Sequence, residues 1–299
     1  GKPEQFAPKI DGNRLYARGA VDMKSSLSSM LYVVLNDYEQ LRKSKKRIIF
    51  IFIADEESSA TGIKRFVRWC LEQELRDFYA VLLEPNDDFS KIDVGGRGYC
   101  FIDVYSDMSN IITSFRNILK KKEQLIDKFT DRGDGFGSCS IELTKVECGH
   151  NDNSCLKEGF DFTEGVSGHA SRPYLGDNAL EKCLKSNKSL TFLKTPDDES
   201  SNSIPSKAFY SQNDDKRLGL EKVRGCIDVR TNLAGSSNDI LIREVKKLIM
   251  PEVEIKIRDY GRAFLLENKE LKSIISKSYS SVFSGNTVVP IIAQAGSDA

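Results

Sequence analysis

Apolar and polar positions alternate along this chain with two different periods. Leu27, Met30, Leu31, Val34, Tyr38 and Leu41 recur three and four residues apart, which predicts a helix with one apolar face. Ile48 to Ile53 is an unbroken β-branched and aromatic run. Such a run predicts a strand buried on both faces, as in a parallel sheet. Ile63, Phe66, Val67, Trp69 and Cys70 mark one side of a second helix, and Tyr79 to Leu83 is a short apolar strand closed by Glu84-Pro85. Strand, helix and strand in that order predict a βαβ unit.

From Val94-Gly95-Gly96-Arg97-Gly98 the texture changes. Tyr99 to Tyr105 alternates like a half-exposed strand, Ile111 to Lys128 has helical spacing, and Ser140 to Val146 alternates again. The polar stretch Thr195 to Ser203 reads as loop. Leu266 to Phe283 returns to a helical pattern, followed by apolar Val288 to Ile292 and the turn Gly296-Ser297-Asp298. The expected fold class is α/β. A mostly parallel sheet with helices on both faces (1–96 and 262–299) is interrupted by an α+β insertion (97–261). There is no internal repeat.

Composition narrows the function. A chain of 299 residues, 39% apolar, can bury a core in one or two domains. Forty-four basic residues cancel forty-four acidic ones, so no global field favours nucleic acid or an anionic membrane, and a small-molecule substrate fits better. No apolar run reaches the roughly 18 residues of a membrane span, and Gly1-Lys2-Pro3-Glu4 does not open a signal peptide. Seven scattered cysteines, an odd count, point to a reducing cytoplasm. Histidines number only two, His150 and His169.

Carboxylates stand where these elements are expected to end: Asp22 before the first helix, Glu56 and Glu57 after the first buried strand, Glu84 after the second. The strand ends of an open α/β sheet are where ligands bind. A catalytic metal pair needs a bridging carboxylate, a carboxylate or imidazole for each ion, and one further carboxylate to take a proton from water. Equally, Asp22 could be a helix N-cap and the acidic cluster a set of solvated loop ends.

Leu15-Tyr16-Ala17-Arg18-Gly19-Ala20-Val21-Asp22-Met23-Lys24, then Asp55-Glu56-Glu57, then Glu84-Pro85 resemble the successive signatures of a dinuclear zinc family. It includes succinyl-diaminopimelate desuccinylase, acetylornithine deacetylase, aminoacylase and the glutamate-releasing carboxypeptidases. The resemblance implies hydrolysis of an amide bond in an N-acyl amino acid or short peptide, with two divalent metal ions: zinc, or cobalt or manganese, which carboxylates also accept. By the same resemblance Asp22 bridges the metals, Glu56 is the general base, and Glu57 and Glu84 are ligands.

Gly165-Val166-Ser167-Gly168-His169-Ala170-Ser171-Arg172-Pro173, continuing to Ala179, resembles the family's lid segment, whose His reaches a partner subunit's active site and steadies the oxyanion. That role falls on His169, which by itself reads as a surface turn residue. Asn202-Ser203-Ile204-Pro205 resembles the lid's turn near the substrate, and Ile227-Asp228-Val229-Arg230 the strand whose Arg can meet a substrate carboxylate. Arg suits that task through its bidentate fork, although Arg230 also reads as half of a sheet salt bridge. Asn202, Arg230, Gly296 and Ser297 are thus the expected substrate contacts, and the insertion the expected lid and homodimer interface.

The family's first zinc-binding His precedes the Leu-Tyr-x-Arg-Gly signature and its last follows the Gly-Ser-Asp turn; neither is among these residues. The chain therefore reads as a fragment of a longer enzyme, or as a catalytically inactive relative that binds an amino-acid-like ligand or serves as a dimerisation module. Residues 110–160 match nothing in the family.

Overall fold

The computed structural model describes residues 3–56, 61–76, 78–85, 90–130, 138–148, 160–212, 222–232, 237–266, 268–283, 286 and 288–293. In order the chain forms β1 (Lys9–Asp11), β2 (Arg14–Tyr16), α1 (Ser26–Asn36), α2 (Tyr38–Lys43), α3 (Thr61–Glu72) and β3 (Lys91–Gly96). Next come β4 (Gly98–Ser106), α4 (Met108–Phe129), β5 (Ser140–Glu147), β6 (Asp161–Glu164), β7 (Gly168–His169), α5 (Ala179–Ser186), β8 (Phe192–Lys194) and β9 (Ser203–Ile204). β10 (Lys207–Ser211), β11 (Val223–Thr231), α6 (Ser237–Lys246), β12 (Glu254–Gly261), β13 (Phe264–Leu265), α7 (Lys269–Val282) and β14 (Val289–Ala293) complete it. The chain divides into two compact units, one of residues 1–92, 268–289 and 298–299, the other of 93–267 and 290–297.

In the second unit an antiparallel sheet in the order β12-β4-β11-β5 carries α4 and α6. Period-2 alternation sorts its side chains. Cys100, Ile102 and Val104 of β4 are fully buried with Phe115 and Ile118 of α4. Tyr99, Phe101, Asp103 and Tyr105 pair in register with Arg230, Asp228, Cys226 and Arg224 of β11. Asp107 caps α4 by accepting from Asn110 N at 2.8 Å. Lys122 of α4 is buried between Glu142 of β5 and Glu181 of α5, at 2.8 Å from each. A second antiparallel sheet, β6-β10-β8, packs against α5, and β7 pairs with β9.

The first unit is less covered. β1 and β2 form an antiparallel hairpin with Asp11 opposite Arg14. The helical pattern after Asp22 forms, but divides into α1 and α2 at Asp37. Leu27, Met30, Val34 and Leu41 on its predicted face are half-buried, and no residue of either helix is fully buried. In α3, Cys70 is buried and Phe66 stacks on Trp69 at 5.7 Å. Tyr79 donates to Glu270 of α7 at 2.7 Å.

One expectation is corrected here. Ile48 to Ile53 belongs to no strand or ladder among the described residues, and Phe50 to Phe52 are 36–54% exposed rather than buried on both faces. Tyr79 to Leu83 likewise joins no ladder among the described residues. The pairs β1-β2, β6-β10, β10-β8, β4-β11, β11-β5, β12-β4, β13-β3 and β7-β9 run antiparallel. The physical reason is that β-branched composition makes a segment fit for burial, while burial itself comes from neighbouring strands and crossover helices. Among the described residues no helix is long and apolar enough to cross a membrane, and none of the six described cysteines is in a disulfide.

Candidate active-site residues

Asp22 lies in a wide turn, Ala20–Ser25, entered through Gly19 at φ +75°, where a Cβ would also meet Lys24 Nζ at 2.9 Å. Asp22 (φ −104°, ψ 101°) leaves helical angles and its peptide bond to Met23 is cis. No side-chain cap bond closes this turn or α1. The N-cap reading of Asp22 therefore does not describe the structure, and its exposed carboxylate has no hydrogen bond or ion pair among the described residues. That capping task is performed elsewhere, by Asp55. It accepts from Thr61 N at 2.7 Å and Gly62 N at 3.0 Å, the first two amides of α3. Beside it Glu56 is exposed, as is Glu84 before Pro85. Glu57, Gly296 and Ser297 lie outside the described residues, as does His150.

In the second unit the structure brings His169 and Asn202 together. Gly168 pairs with Ile204 and His169 with Ser203 across β7 and β9, and Ala170 N donates to Asn202 O at 2.9 Å. The approach to this ladder needs glycine: at Gly165 a Cβ would sit 1.9 Å from Asp177 O. Asn202 Nδ2 stands 3.5 Å from His169 Nε2, while its Oδ1 accepts from Ser200 Oγ at 2.6 Å. On the other ring nitrogen, His169 Nδ1 accepts from Ser171 N at 3.1 Å and lies 2.6 Å from Ser171 Oγ. Asn178 completes the motif as the cap of α5, accepting from Leu180 N and Glu181 N at 3.1 and 3.2 Å.

Around His169 the field is cationic. Partial desolvation by the packed turn, then Arg230 and Arg172, hold its imidazole below the ordinary value against the opposing Asp228 carboxylate. Arg230 is 3% exposed, and its Nε and Nη2 donate to Asp228 at 2.6 and 2.9 Å. The fork expected to meet a substrate carboxylate is thus engaged by a buried neighbour two residues back. That neighbour was detectable, because i and i+2 on a strand share a face. Arg97 and Ser171, both buried, are contacts that sequence reasoning missed: Arg97 Nη1 donates to Ser171 O at 2.9 Å and Nη2 donates to Ser138 O.

All of residues 1–299 match one family of peptidases. The chain belongs to Peptidase family M20/M25/M40. Among relatives of this M20 chain, a succinyl-diaminopimelate desuccinylase of Blochmanniella floridana is 32% identical over 99 residues, 32% of this chain and 26% of its own length. The succinyl-diaminopimelate desuccinylase of Buchnera aphidicola subsp. Cinara cedri is 37% identical over 158 residues, 48% of this chain and 42% of its own. Human carnosine dipeptidase 1 is similar in fold, with a TM-score of 0.51 at 13% identity over 98% of this chain and 64% of that one. The M20 chain has an α/β fold of this kind and spans less than half the length of those two desuccinylases.

M20 membership implies divalent metal ions, so the donors can be tested for fit. Their chemistry fits: exposed carboxylate oxygens suit zinc, manganese or cobalt, and Asp22 has no ion pair among the described residues. Glu57 lies outside the described residues, and among those described no three His, Cys, Asp or Glu side chains are grouped closely enough to hold an ion.

Proposed function

We propose that the protein to which this chain belongs is a metal-dependent hydrolase that cleaves the amide bond of an N-acyl amino acid or short peptide. The family match over the whole chain carries this reading. Asp22, Glu57 and Glu84 would hold two divalent ions, zinc first among the candidates, which when bound polarise a carbonyl and lower the pKa of water. Glu56 takes the proton from the attacking water and passes it to the leaving amine, a role of order 10² to 10⁴ in rate. His169 and Asn202 are the donors for the oxygen that becomes negative during attack, each worth about 10² to 10³. Their ring and amide nitrogens, 3.5 Å apart, support that pairing.

Substrate recognition falls to Asn202, Gly296, Ser297 and Arg230. At Arg230 a substrate carboxylate has to compete with Asp228 for the guanidinium fork. In this reading the protein is a cytoplasmic homodimer joined through the 97–261 lid domain, with His169 serving the partner's site. Glu56→Ala in the metal-loaded, full-length protein should keep its metal and lose at least 10²-fold in kcat; unchanged turnover removes Glu56 from the base role.

The alternative reading is a catalytically inactive relative that binds an amino-acid-like ligand or serves as a dimerisation module. Metal titration of the full-length protein decides between them. Stoichiometric binding lost in Asp22→Ala supports the hydrolase.

A further inference from the structure

The two hydrogen bonds on His169 Nδ1 fix more than the ring's orientation. A backbone amide can only donate, so with Ser171 N at 3.1 Å the Nδ1 atom must present its lone pair. Ser171 Oγ, at 2.6 Å from the same atom, then donates as well. The neutral ring therefore carries its proton on Nε2, the nitrogen facing Asn202. Asn202 stands with Nδ2 on that side and Oδ1 toward Ser200 Oγ, 2.6 Å away. Two N–H donors 3.5 Å apart cannot satisfy each other, so both remain available to one oxygen acceptor.

The Ser171 donors are themselves anchored. Ser171 is 1% exposed, and its carbonyl accepts from Arg97 Nη1 at 2.9 Å; the second arm of that guanidinium donates to Ser138 O, just before β5. A planar fork gripping two carbonyls from segments far apart in sequence locks the turn 169–172 against the sheet. Imidazolium formation would place a proton on Nδ1 and break the Ser171 N–H bond.

We propose that Ser171, anchored by Arg97, is a positioning residue that holds His169 as the neutral Nε2–H tautomer, a donor already set before substrate arrives. Neither Ser171 nor Arg97 touches the reacting atoms; each acts through His169. The proposal rests on the reading of His169 as donor to the substrate oxygen and supplies what that reading lacks, a cause for the proton being on the correct nitrogen. The surrounding Arg230 and Arg172 act in the same direction, by opposing a positive ring.

The test uses histidine labelled with ¹⁵N, where His169 and His150 of these 299 residues give ring signals that His169→Asn and His150→Gln assign. Wild type should show His169 with Nδ1 bare and Nε2 protonated. Ser171→Ala, which keeps the amide donor and loses the hydroxyl, should raise the pH of half-protonation by about half a unit, and Arg97→Leu, which releases both donors, by about one. Ser171→Thr should restore the wild-type midpoint, and Asn202→Ala should leave the tautomer unchanged. A proton on Nδ1 in wild type overturns the proposal without any variant needing to fold, and so does an unmoved midpoint in folded Ser171→Ala and Arg97→Leu. His169→Asn with full turnover would instead overturn the donor reading and leave the tautomer result standing, so the two failures are distinguishable.

Discussion

In the second unit Phe115, Ile102 and Leu143 are wholly buried, whereas Phe50 and Ile51 in the first keep 36% and 37% of their surface exposed. Both sets come from strongly apolar stretches. The difference lies in partners. β11 is laddered to β4 at nine positions and to β5 at seven, and α4 roofs the sheet, so each apolar side chain is met from the next strand and from above. Residues 48–53 have no such ladder among the described residues. Apolar composition is a capacity for burial, and the neighbours decide whether it is used.

Truncation of a core residue is the strongest way to break the comparison. Phe115→Ala should cost about 3–5 kcal/mol, the range for emptying a packed aromatic site. Phe52→Ala, at 54% exposed, should cost about 1 kcal/mol or less. Urea titration of the full chain reads both, with hydrogen exchange of α4 for the first and fluorescence of Trp69, the sole tryptophan, for the second. Equal losses would mean that the first unit is as closely covered as the second.

Next in size is the buried charge cluster of the second unit. Lys122→Met leaves Glu142 and Glu181 facing each other without their cation, at a cost of about 3 kcal/mol at pH 8. The penalty should shrink at pH 5, because a carboxyl there can take up a proton. Burial first, and Glu181 beside it, push Glu142 up to about 7 against the opposing Lys122. The sign follows from linkage. A carboxyl raised in the folded state binds its proton more tightly there than when unfolded. Its stabilisation is complete below its ordinary 4.5 and is lost as pH rises through about 7. Lys122, raised by the same two carboxylates although burial opposes it, stays charged throughout this window, and Lys185 lies 3.6 Å from the far side of Glu181. Glu142→Gln should remove this slope between pH 5 and 8; a slope that persists assigns it to another group.

How much was legible in the sequence follows the same division. α4, β4 and β5 were readable because each keeps one period and packs on a single continuous core, while β11 was drawn out by the resemblance alone. β7 and β9, at two residues each, carry no periodic signal, and only the resemblance drew attention to His169 and Asn202. Arg97 could not be found from pattern at all. Its carbonyl partners are 74 and 41 residues away, and any residue can supply a carbonyl. Asp55 shows the converse: of three adjacent acidic residues the structure assigns one to helix capping, a duty that spacing alone could not divide among them.

Capping chemistry gives the finest comparison, because both units use it. Asp55 accepts from the first two amides of α3 at an exposed turn of the first unit, so Asp55→Ala should lower stability by about 1 kcal/mol. Asn178 caps α5 in the same manner but also donates to Leu143 O at 3.0 Å and Glu142 Oε2 at 3.3 Å. Asn178→Ala should therefore cost about 2 kcal/mol, the cap plus a buried carbonyl left without its donor. Asn178→Asp separates the two contributions: it keeps the acceptor that caps α5, loses the amide donor, and brings a third carboxylate beside Glu142. If it were as stable as wild type, the link from Asn178 to β5 would contribute nothing, and the two caps would differ only in where they sit.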